Sequence, residues 1–124
     1  DVCHATDTPS IKKAVVGDIK LGEGAVICRN SLLDERLVNL AMSIKDAPHQ
    51  LLACGRSTGT DADMFALSQG GKMTALIKTP LRYMHTQGEV CDLDDVEAIA
   101  VKFTGMIDAF TKDAEHWKAE SKTR

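Results

Sequence analysis

The stretch "AVICRNSLLDERLVNLAMSIKDAPHQLLAC", residues 25–54, places a helical pattern between two strand-like runs. Its first five residues are a compact β-branched apolar run, which is typical of a buried strand. The middle carries apolar residues at helical spacing, namely Leu33, Leu37, Leu40, Ala41 and Ile44. We predict a helix there, with Asn30 or Ser31 as its N-cap and an end before Pro48. "HQLLAC", residues 49–54, is again strand-like.

The segments on either side continue this alternation. Upstream, "DVCHA" at residues 1–5 is a short extended run that ends in a turn-rich loop. Downstream, residues 59–71 are predicted to contain a helix that stops at a pair of glycines. Thr60 is its predicted N-cap, and Asp63 lies three residues further on, in the capping-box position.

The C-terminal half adds one more strand and a long helix. "MTALIKT", residues 73–79, is predicted as a buried strand that Pro80 ends. From about Asp92 onward, apolar residues recur at helical spacing, namely Val96, Ile99, Phe103, Met106, Ile107, Phe110, Ala114 and Trp117. Strands separated by helices predict a three-layer α/β fold with a mostly parallel sheet.

Sheets of this kind place their sites at the carboxyl ends of the strands. The loops to inspect are residues 6–10, 55–63 and 80–89, which follow three of the predicted strands. All three are rich in groups that bind metals or polar substrates. We expect them to converge on one edge of the sheet.

The amino-acid composition limits the classes of protein to which this chain can belong. The chain is 44% apolar and 27% charged, and its 15 basic and 18 acidic residues give a net charge of −3. These values are ordinary for one globular domain, and no basic stripe indicates nucleic acid as a partner. No apolar run approaches the ~18 residues that a membrane-spanning helix needs. We therefore expect neither a nucleic acid nor a membrane as partner.

The cysteines Cys3, Cys28, Cys54 and Cys91 are widely spaced and form no CxxC pair. Three of them lie in apolar, strand-like surroundings. We interpret them as small buried apolar side chains of a protein in a reducing compartment, which predicts a cytoplasmic location.

Four motifs, in this order and at these intervals, carry a family resemblance: "DVCHATDTP", "KLGEGAVI", "TGTDAD" and "PLRYMHT". They resemble the C-terminal part of the tetrahedral aminopeptidases, two-metal peptidases also labelled glutamyl aminopeptidase or cellulase M. The match runs from Asp1 to about Phe110 and covers roughly the last third of such an enzyme. The resemblance implies that residues 1–124 are a C-terminal fragment of a zinc-peptidase-like catalytic domain. A start at Asp1 without methionine fits this expectation.

The resemblance also implies two divalent metal ions, zinc or cobalt, with His85 and Asp1 as ligands of different ions. Imidazole nitrogen and carboxylate oxygen suit both metals. Without the motif, a loop or capping role explains His85 better than ligation does, and Asp1 is explained as a frayed terminal carboxylate. The bridging aspartate, the other ligands and the general-base glutamate lie upstream in the family. We therefore predict no catalytic residue within this chain.

Two further residues are candidates for binding substrate. Asp61 is one, although a carboxylate in a first helical turn is also explained by the helix dipole and by N-terminal capping. Arg82 is the other, although an arginine that pairs across a loop explains it equally well. Both alternatives stay open at the level of sequence.

The family resemblance implies an aminopeptidase that removes N-terminal residues from peptides and assembles into a large homo-oligomer. Two alternatives remain, a non-catalytic flavodoxin-like binding or assembly module and, as the old label suggests, a glucanase. The sequence leaves the side-chain specificity open. We expect the isolated 124-residue chain to fold poorly, because strands that pair with upstream ones would leave unpaired edges and an exposed apolar face. We expect it to hydrolyse nothing, because its two metal ligands belong to different ions.

Overall fold

The computed structural model describes residues 1–121. The strands are β1 (Val2–His4), β2 (Ala25–Arg29), β3 (His49–Ala53) and β4 (Ile77–Leu81). The helices are α1 (Lys13–Val16), α2 (Glu35–Ser43), α3 (Asp61–Leu67), α4 (Leu93–Lys112) and α5 (Ala114–Ser121), and a short 3-10 helix spans Ser68–Gly70. The strands predicted at residues 1–5, 25–29 and 49–54 are confirmed, whereas the single turn of α1 was not predicted.

The four strands form one mixed sheet in the order β1-β4-β2-β3. β1 is parallel to β4 and β2 is parallel to β3, but β4 runs antiparallel to β2. The predicted α/β fold with a mostly parallel sheet is confirmed. The antiparallel pair reverses direction in the middle of the sheet, so the loop after β3 leaves the edge opposite to the loops after β1 and β4. The expectation that all three loops leave one edge is therefore wrong.

Pro80 lies inside β4, paired with Cys3 of β1, and does not end the strand as predicted. The neighbouring Thr79 donates its backbone N–H to Asp1 O of the β1 segment at 2.8 Å. Because N–H groups alternate along a strand, the nitrogen of Pro80 faces the β2 side. Pairing with β2 already ends at Lys78. The missing N–H of proline therefore removes no hydrogen bond between strands.

Helices α2 and α4 cover the same face of the sheet. Arg29, the last residue of β2, contacts Glu35 Oε1 of α2 at 2.6 Å. Lys102 Nζ of α4 lies 3.0 Å from His49 Nδ1, and His49 pairs with Ala25 at the start of β2. Strand alternation puts Ala25, His49 and Arg29 on one face, so both helices pack there.

The N-cap of α2 is Asp34, and the prediction of Asn30 or Ser31 is wrong. The side chain of Asp34 accepts the backbone N–H of Arg36 at 2.9 Å and is 3% exposed. Asn30 Oδ1 instead accepts the backbone N–H of Leu33 at 3.0 Å, which closes a turn before the helix begins. Both residue types favour such local bonds, and sequence spacing did not distinguish a turn from a cap.

Helix α4 begins where predicted, with Asp92 as N-cap accepting the backbone N–H of Asp94 at 2.9 Å. The helical segment is interrupted at Asp113, after which α5 starts. Within residues 1–121 no helix combines the length and the apolar character needed to cross a membrane.

The predicted apolar stripe of α4 is confirmed in part, because Met106 lies in the core and Ile99 and Phe110 pack against it. The buried residues of the helix are Asp95, Ala98, Lys102 and Met106, whereas Val96, Phe103 and Ile107 are 45%, 48% and 62% exposed. Asp95 accepts the backbone N–H groups of two glycines, and Lys102 donates to Ile44 O, so both charged side chains are bonded inside the fold. Hydrogen bonds of Asp95 and Lys102 thus contribute to this face together with apolar burial of Ala98 and Met106.

Candidate functional site

A cavity of about 350 Å³ lies on the face of the sheet opposite to α2 and α4. Cys3, Leu52 and Lys78 occupy register positions that share this face, and all three line the cavity. Val15 and Val16 of α1 line it as well. Helices thus flank both faces of the sheet.

Both predicted metal ligands line this cavity, although they come from distant parts of the sequence. Asp1 precedes β1, and His85 lies in the loop that follows β4. Because β1 is parallel to β4, Asp1 lies at the amino end of this strand pair, whereas His85 follows its carboxyl end. Both residues nevertheless border the same cavity. The structure therefore brings together Asp1 and His85, whose relation depended on the motif alone.

The sheet fixes the position of Asp1. Its carbonyl oxygen accepts the backbone N–H of Thr79 at 2.8 Å, and its Oδ1 accepts the N–H of Val2 at 2.7 Å. Within residues 1–121, Oδ2 accepts no hydrogen bond. One carboxylate oxygen is therefore free to meet a cation from the cavity.

His85 lies in a turn with unusual backbone geometry. Its φ is +67° and that of Tyr83 is +60°, a region that residues with side chains seldom occupy. Hydrogen bonds hold the turn, because His85 N–H donates to Glu89 Oε1 at 2.6 Å and Thr86 N–H donates to Tyr83 O at 3.1 Å. Such strain is concentrated at functional sites. In the described part of the chain, neither ring nitrogen of His85 has a hydrogen-bond partner.

The donor chemistry of Asp1 and His85 fits a zinc or cobalt site in part. A free carboxylate oxygen and an imidazole without a hydrogen bond are ligands that both metals accept. Among residues 1–121, however, no group of three or more His, Cys, Asp or Glu side chains is arranged to hold a metal ion. Two ligands are fewer than the three protein ligands of a typical catalytic zinc site. Further ligands would have to come from outside this chain.

Asp61 lies at the start of α3 and is exposed. It does not line the 350 Å³ cavity but a neighbouring one of about 340 Å³, which Asp1 also borders. The N-cap of α3 is Thr60, as predicted, and its side chain accepts the backbone N–H of Ala62 at 3.2 Å. No contact of Asp61 in the described residues decides between substrate binding and a structural role in the first turn of the helix.

Asp63 does not form the predicted capping box. Its carboxylate accepts the backbone N–H groups of Thr58 at 3.0 Å and of Gly59 at 3.2 Å, and the Thr58 hydroxyl at 2.8 Å. The N–H of Thr60 donates to Thr58 Oγ1 instead. The hydrogen bond from the Thr58 backbone is the main reason that the pKa of Asp63 is lowered. Asp63 thus folds the loop that borders the cavity.

Arg82 pairs with Asp7 and does not line the cavity. Its Nε lies 3.1 Å from Asp7 Oδ1 and 3.0 Å from Oδ2, and its Nη2 also contacts Oδ2. The hydrogen bond from Arg82 lowers the pKa of Asp7. This contact joins the loops after β1 and β4, which agrees with the alternative of an arginine pairing across a loop. A substrate contact of Arg82 stays a prediction.

Lys78 is the cavity residue that the sequence analysis missed. It is 6% exposed, and its Nζ donates to the backbone oxygen of Thr58 at 3.3 Å. Buried lysines without a carboxylate partner are rare. The available signal was a single charged residue inside the apolar run of β4.

The cysteines follow the prediction in part. Cys3 and Cys28 are buried, and burial raises the pKa of the Cys3 thiol to about 11. Cys54 is half-buried in the cavity wall, and its hydrogen bond with Cys28 lowers the pKa of Cys54 to about 7. Cys91 is exposed. All four are free thiols.

Comparisons with known proteins identify relatives of this chain. The model of the M42 glutamyl aminopeptidase family matches residues 1–101. A lysyl aminopeptidase of Pyrococcus furiosus is 33% identical over 92 residues, which are 72% of this chain and 26% of that protein.

Solved structures of peptidases are also similar to this chain. An aminopeptidase from the archaeon Desulfurococcus kamchatkensis superposes with a TM-score of 0.73 at 30% identity, covering 86% of this chain and 32% of that one. The TET1 peptidase of Pyrococcus horikoshii, which can assemble into a tetrahedron or a large octahedral shell, gives a TM-score of 0.58 at 28% identity. That match covers 76% of this chain and 28% of the TET1 chain.

The chain thus spans about a quarter to a third of the length of these relatives. The relatives are aminopeptidases, so the flavodoxin-like module and the glucanase are not favoured. The family model covers most of the sequence, including every motif and both predicted ligands. This chain belongs to the M42 glutamyl aminopeptidase family.

Proposed function

We propose that this chain is the C-terminal segment of the catalytic domain of a two-metal aminopeptidase that hydrolyses N-terminal residues from peptides. The observation that carries the proposal is that Asp1 and His85 line one cavity. Among residues 1–121, Asp1 Oδ2 and the ring nitrogens of His85 have no hydrogen-bond partner there. Family membership supports the same reaction. The proposed role of each residue is to ligate one of two divalent ions, zinc or cobalt.

The chemistry divides between the ions and the chain. When bound, a pair of metal ions supplies an acidified water and polarises the scissile carbonyl. The chain holds one ligand for each ion, Asp1 through its backbone pairing with β4 and His85 through its hydrogen-bonded turn. A general-base glutamate, which we place upstream, would take the proton of the water.

The test compares His85→Ala with wild type in the complete polypeptide that carries this sequence. We expect His85→Ala to lower the bound zinc or cobalt and to reduce hydrolysis of aminoacyl anilides by about a hundredfold or more, because an open catalytic site cannot spare a ligand. His116→Ala is the matched control, since His116 is exposed on α5 and lines none of the cavities described above. Equal metal content and activity of His85→Ala and wild type would refute the proposal.

We further propose that the complete protein is a large homo-oligomer and is cytoplasmic. The assembly is supported by the TET1 relative, whose description names tetrahedral and octahedral shells. The location is supported by the four free thiols. Sedimentation of the complete protein tests the assembly, and a monomer would count against it.

A further inference from the structure

Two thiols from adjacent strands meet beside the cavity that contains Asp1 and His85. Cys28 lies on β2, and Cys54 follows the last residue of β3. Cys28 pairs with Leu52, so strand alternation directs Cys28, Leu52 and Cys54 to one face of the sheet. Cys54 Sγ lies 3.9 Å from Leu52 O, which turns it back toward Cys28. The two thiols are hydrogen-bonded to each other.

The two thiols differ in exposure and in acidity. Cys54 is half-buried and lines the cavity, whereas Cys28 is 0% exposed. The hydrogen bond from Cys28 is the main reason that the pKa of Cys54 is lowered to about 7, and the nearby ammonium group of Lys78 acts in the same direction. The same hydrogen bond raises the pKa of Cys28. Because the thiolate is the reactive form of cysteine, Cys54 is the thiol that meets an oxidant in the cavity first.

We propose that Cys54 is a peroxide-sensitive thiol and that Cys28 converts its oxidised form into a reversible disulfide. The thiolate of Cys54 attacks one oxygen of hydrogen peroxide, the O–O bond breaks, and the released hydroxide takes up a proton to give water. The Cys28 sulfur then gives up its proton and attacks the sulfenic acid on Cys54, and a second water leaves. Two thiols are oxidised and one peroxide is reduced. Cys3 is not the partner, because two strands separate β1 from β3.

Closing this disulfide moves the loop after β3. Cys28 and Cys54 are diagonal neighbours, whose α-carbons are about 7–8 Å apart in a sheet, whereas a disulfide needs about 4.4–6.8 Å. Cys54 therefore has to shift by about 1 Å toward Cys28. The backbone allows this shift, because β3 lies at the edge of the four-stranded sheet and, within residues 1–121, no backbone–backbone hydrogen bond involves residues 55–57. The shift pulls on Ser57, which lines the cavity.

Peptide mapping of the wild-type protein is the first test. The complete polypeptide is reduced, freed of reductant, treated with increasing hydrogen peroxide until the exposed Cys91 is oxidised, and digested without reduction. We expect mass spectrometry to find the peptides of Cys28 and Cys54 joined, with the loss of two hydrogen atoms, and dithiothreitol to separate them. Free thiols at Cys28 and Cys54, or a bond from Cys54 to another cysteine, would overturn the proposal.

Variants separate the roles of the two thiols. In Cys28→Ser, Cys54 has no partner, so we expect peroxide to carry it to the sulfinic acid, which dithiothreitol does not reduce. In Cys54→Ser, we expect Cys28 to stay unoxidised, because it is fully buried. Cys91→Ser is the matched control and should form the disulfide as wild type does. Oxidation of Cys28 in Cys54→Ser at the wild-type rate would show that Cys54 is not the reacting thiol. If a variant does not fold, the wild-type map still decides.

The effect of the disulfide on hydrolysis rests on the aminopeptidase function proposed above. With zinc bound, we expect the disulfide to lower the hydrolysis of leucine anilide by about tenfold or more, because a shift of about 1 Å in a wall of the site misplaces the substrate. Reduction should restore the untreated rate. An unchanged rate in a sample that carries the disulfide would refute control of the site by this bond. Absence of hydrolysis in every sample contradicts the aminopeptidase function, whereas the peptide map still decides whether the disulfide forms.

Discussion

The carboxylate of Asp63 organises the loop that precedes α3 and borders the cavity. It accepts two backbone N–H groups, those of Thr58 and Gly59, together with the hydroxyl of Thr58. These bonds favour the ionised form, so the pKa of Asp63 lies below its ordinary value of about 3.9. A carboxyl group with a lowered pKa stabilises the folded chain above the unfolded-state pKa, and the contribution is lost as the pH falls through the folded-state pKa.

Asp63→Asn is therefore expected to lower the unfolding temperature of the complete polypeptide at pH 7. The deficit should begin to shrink below about pH 4, where the carboxylate of the unfolded chain takes up protons, and should shrink further as the pH falls through the lower folded-state pKa. Thermal unfolding at several pH values measures it. Asp61→Asn is the control, because within residues 1–121 the Asp61 side chain accepts no hydrogen bond and should show a smaller deficit. The same deficit for Asp63→Asn at pH 3 and pH 7 would contradict this account.

At the residue scale, sequence reasoning found the predicted ligands only through their motif. His85 and Asp1 have no local pattern that marks them, and the positive φ of His85 is set by a turn whose bonds come from Glu89 and Thr86. Lys78 was missed because a strand pattern predicts burial of a position and not which face its side chain meets. The face depends on register with β1 and β2, which is not a local property.

At the scale of elements, helix α4 is joined to the glycine-rich loop before β2 by one buried carboxylate. Asp95 is fully buried, and its two oxygens accept the backbone N–H groups of Gly22 at 2.8 Å and Gly24 at 2.7 Å. Gly24 has φ of +94°, and a Cβ there would lie 2.3 Å from Pro48 O, so only glycine fits. The carboxylate and the glycine together fix where β2 enters the sheet.

Asp95→Asn is expected to reduce the stability of this junction by about 2–4 kcal/mol. The amide of asparagine keeps one acceptor but turns its NH₂ group toward a glycine N–H. Hydrogen exchange of residues 20–25 in the complete polypeptide measures the loss as faster exchange. Asp94→Asn is the matched control, since Asp94 is exposed in the same helical turn and should cost only about 0.3–1 kcal/mol through the helix dipole. Equal exchange in the two variants would disprove the proposed contribution of Asp95.

The positions of the helices and strands in the sequence were largely predictable, but the direction of the strands in the sheet and the buried face of α4 were only partly so. Periodicity and turn residues located β1, β2, β3 and the start of α4 within a residue or two. The direction of β4 was not predictable, because alternation of strands and helices favours a parallel sheet and carries no sign of an antiparallel pair. The buried face of α4 was predicted only in part for a related reason, since Asp95 and Lys102 are buried by hydrogen bonds to distant segments.

At the scale of the whole molecule, much apolar surface is exposed within the described residues. Met64, Phe65 and Leu67 of α3 are 62–70% exposed, and Leu93 and Ile107 of α4 are 78% and 62% exposed. Exposed apolar patches of this kind mark surfaces for other protein segments or subunits. They support the expectation that the isolated chain folds poorly and associates.

The last prediction is that a polypeptide of these 124 residues alone retains no stoichiometric zinc or cobalt and hydrolyses no peptide. Asp1 and His85 are assigned to different ions, so each ion would meet one protein ligand, and residues 1–121 contain no group of three ligands. In that polypeptide the α-ammonium group of Asp1, which donates to Ile77 O at 3.2 Å, also lies beside the carboxylate and competes with a cation for it. Metal content after dialysis is measured by mass spectrometry, with the complete polypeptide as the positive control. One zinc or cobalt ion per isolated chain, together with peptide hydrolysis, would show that these residues form a complete site by themselves.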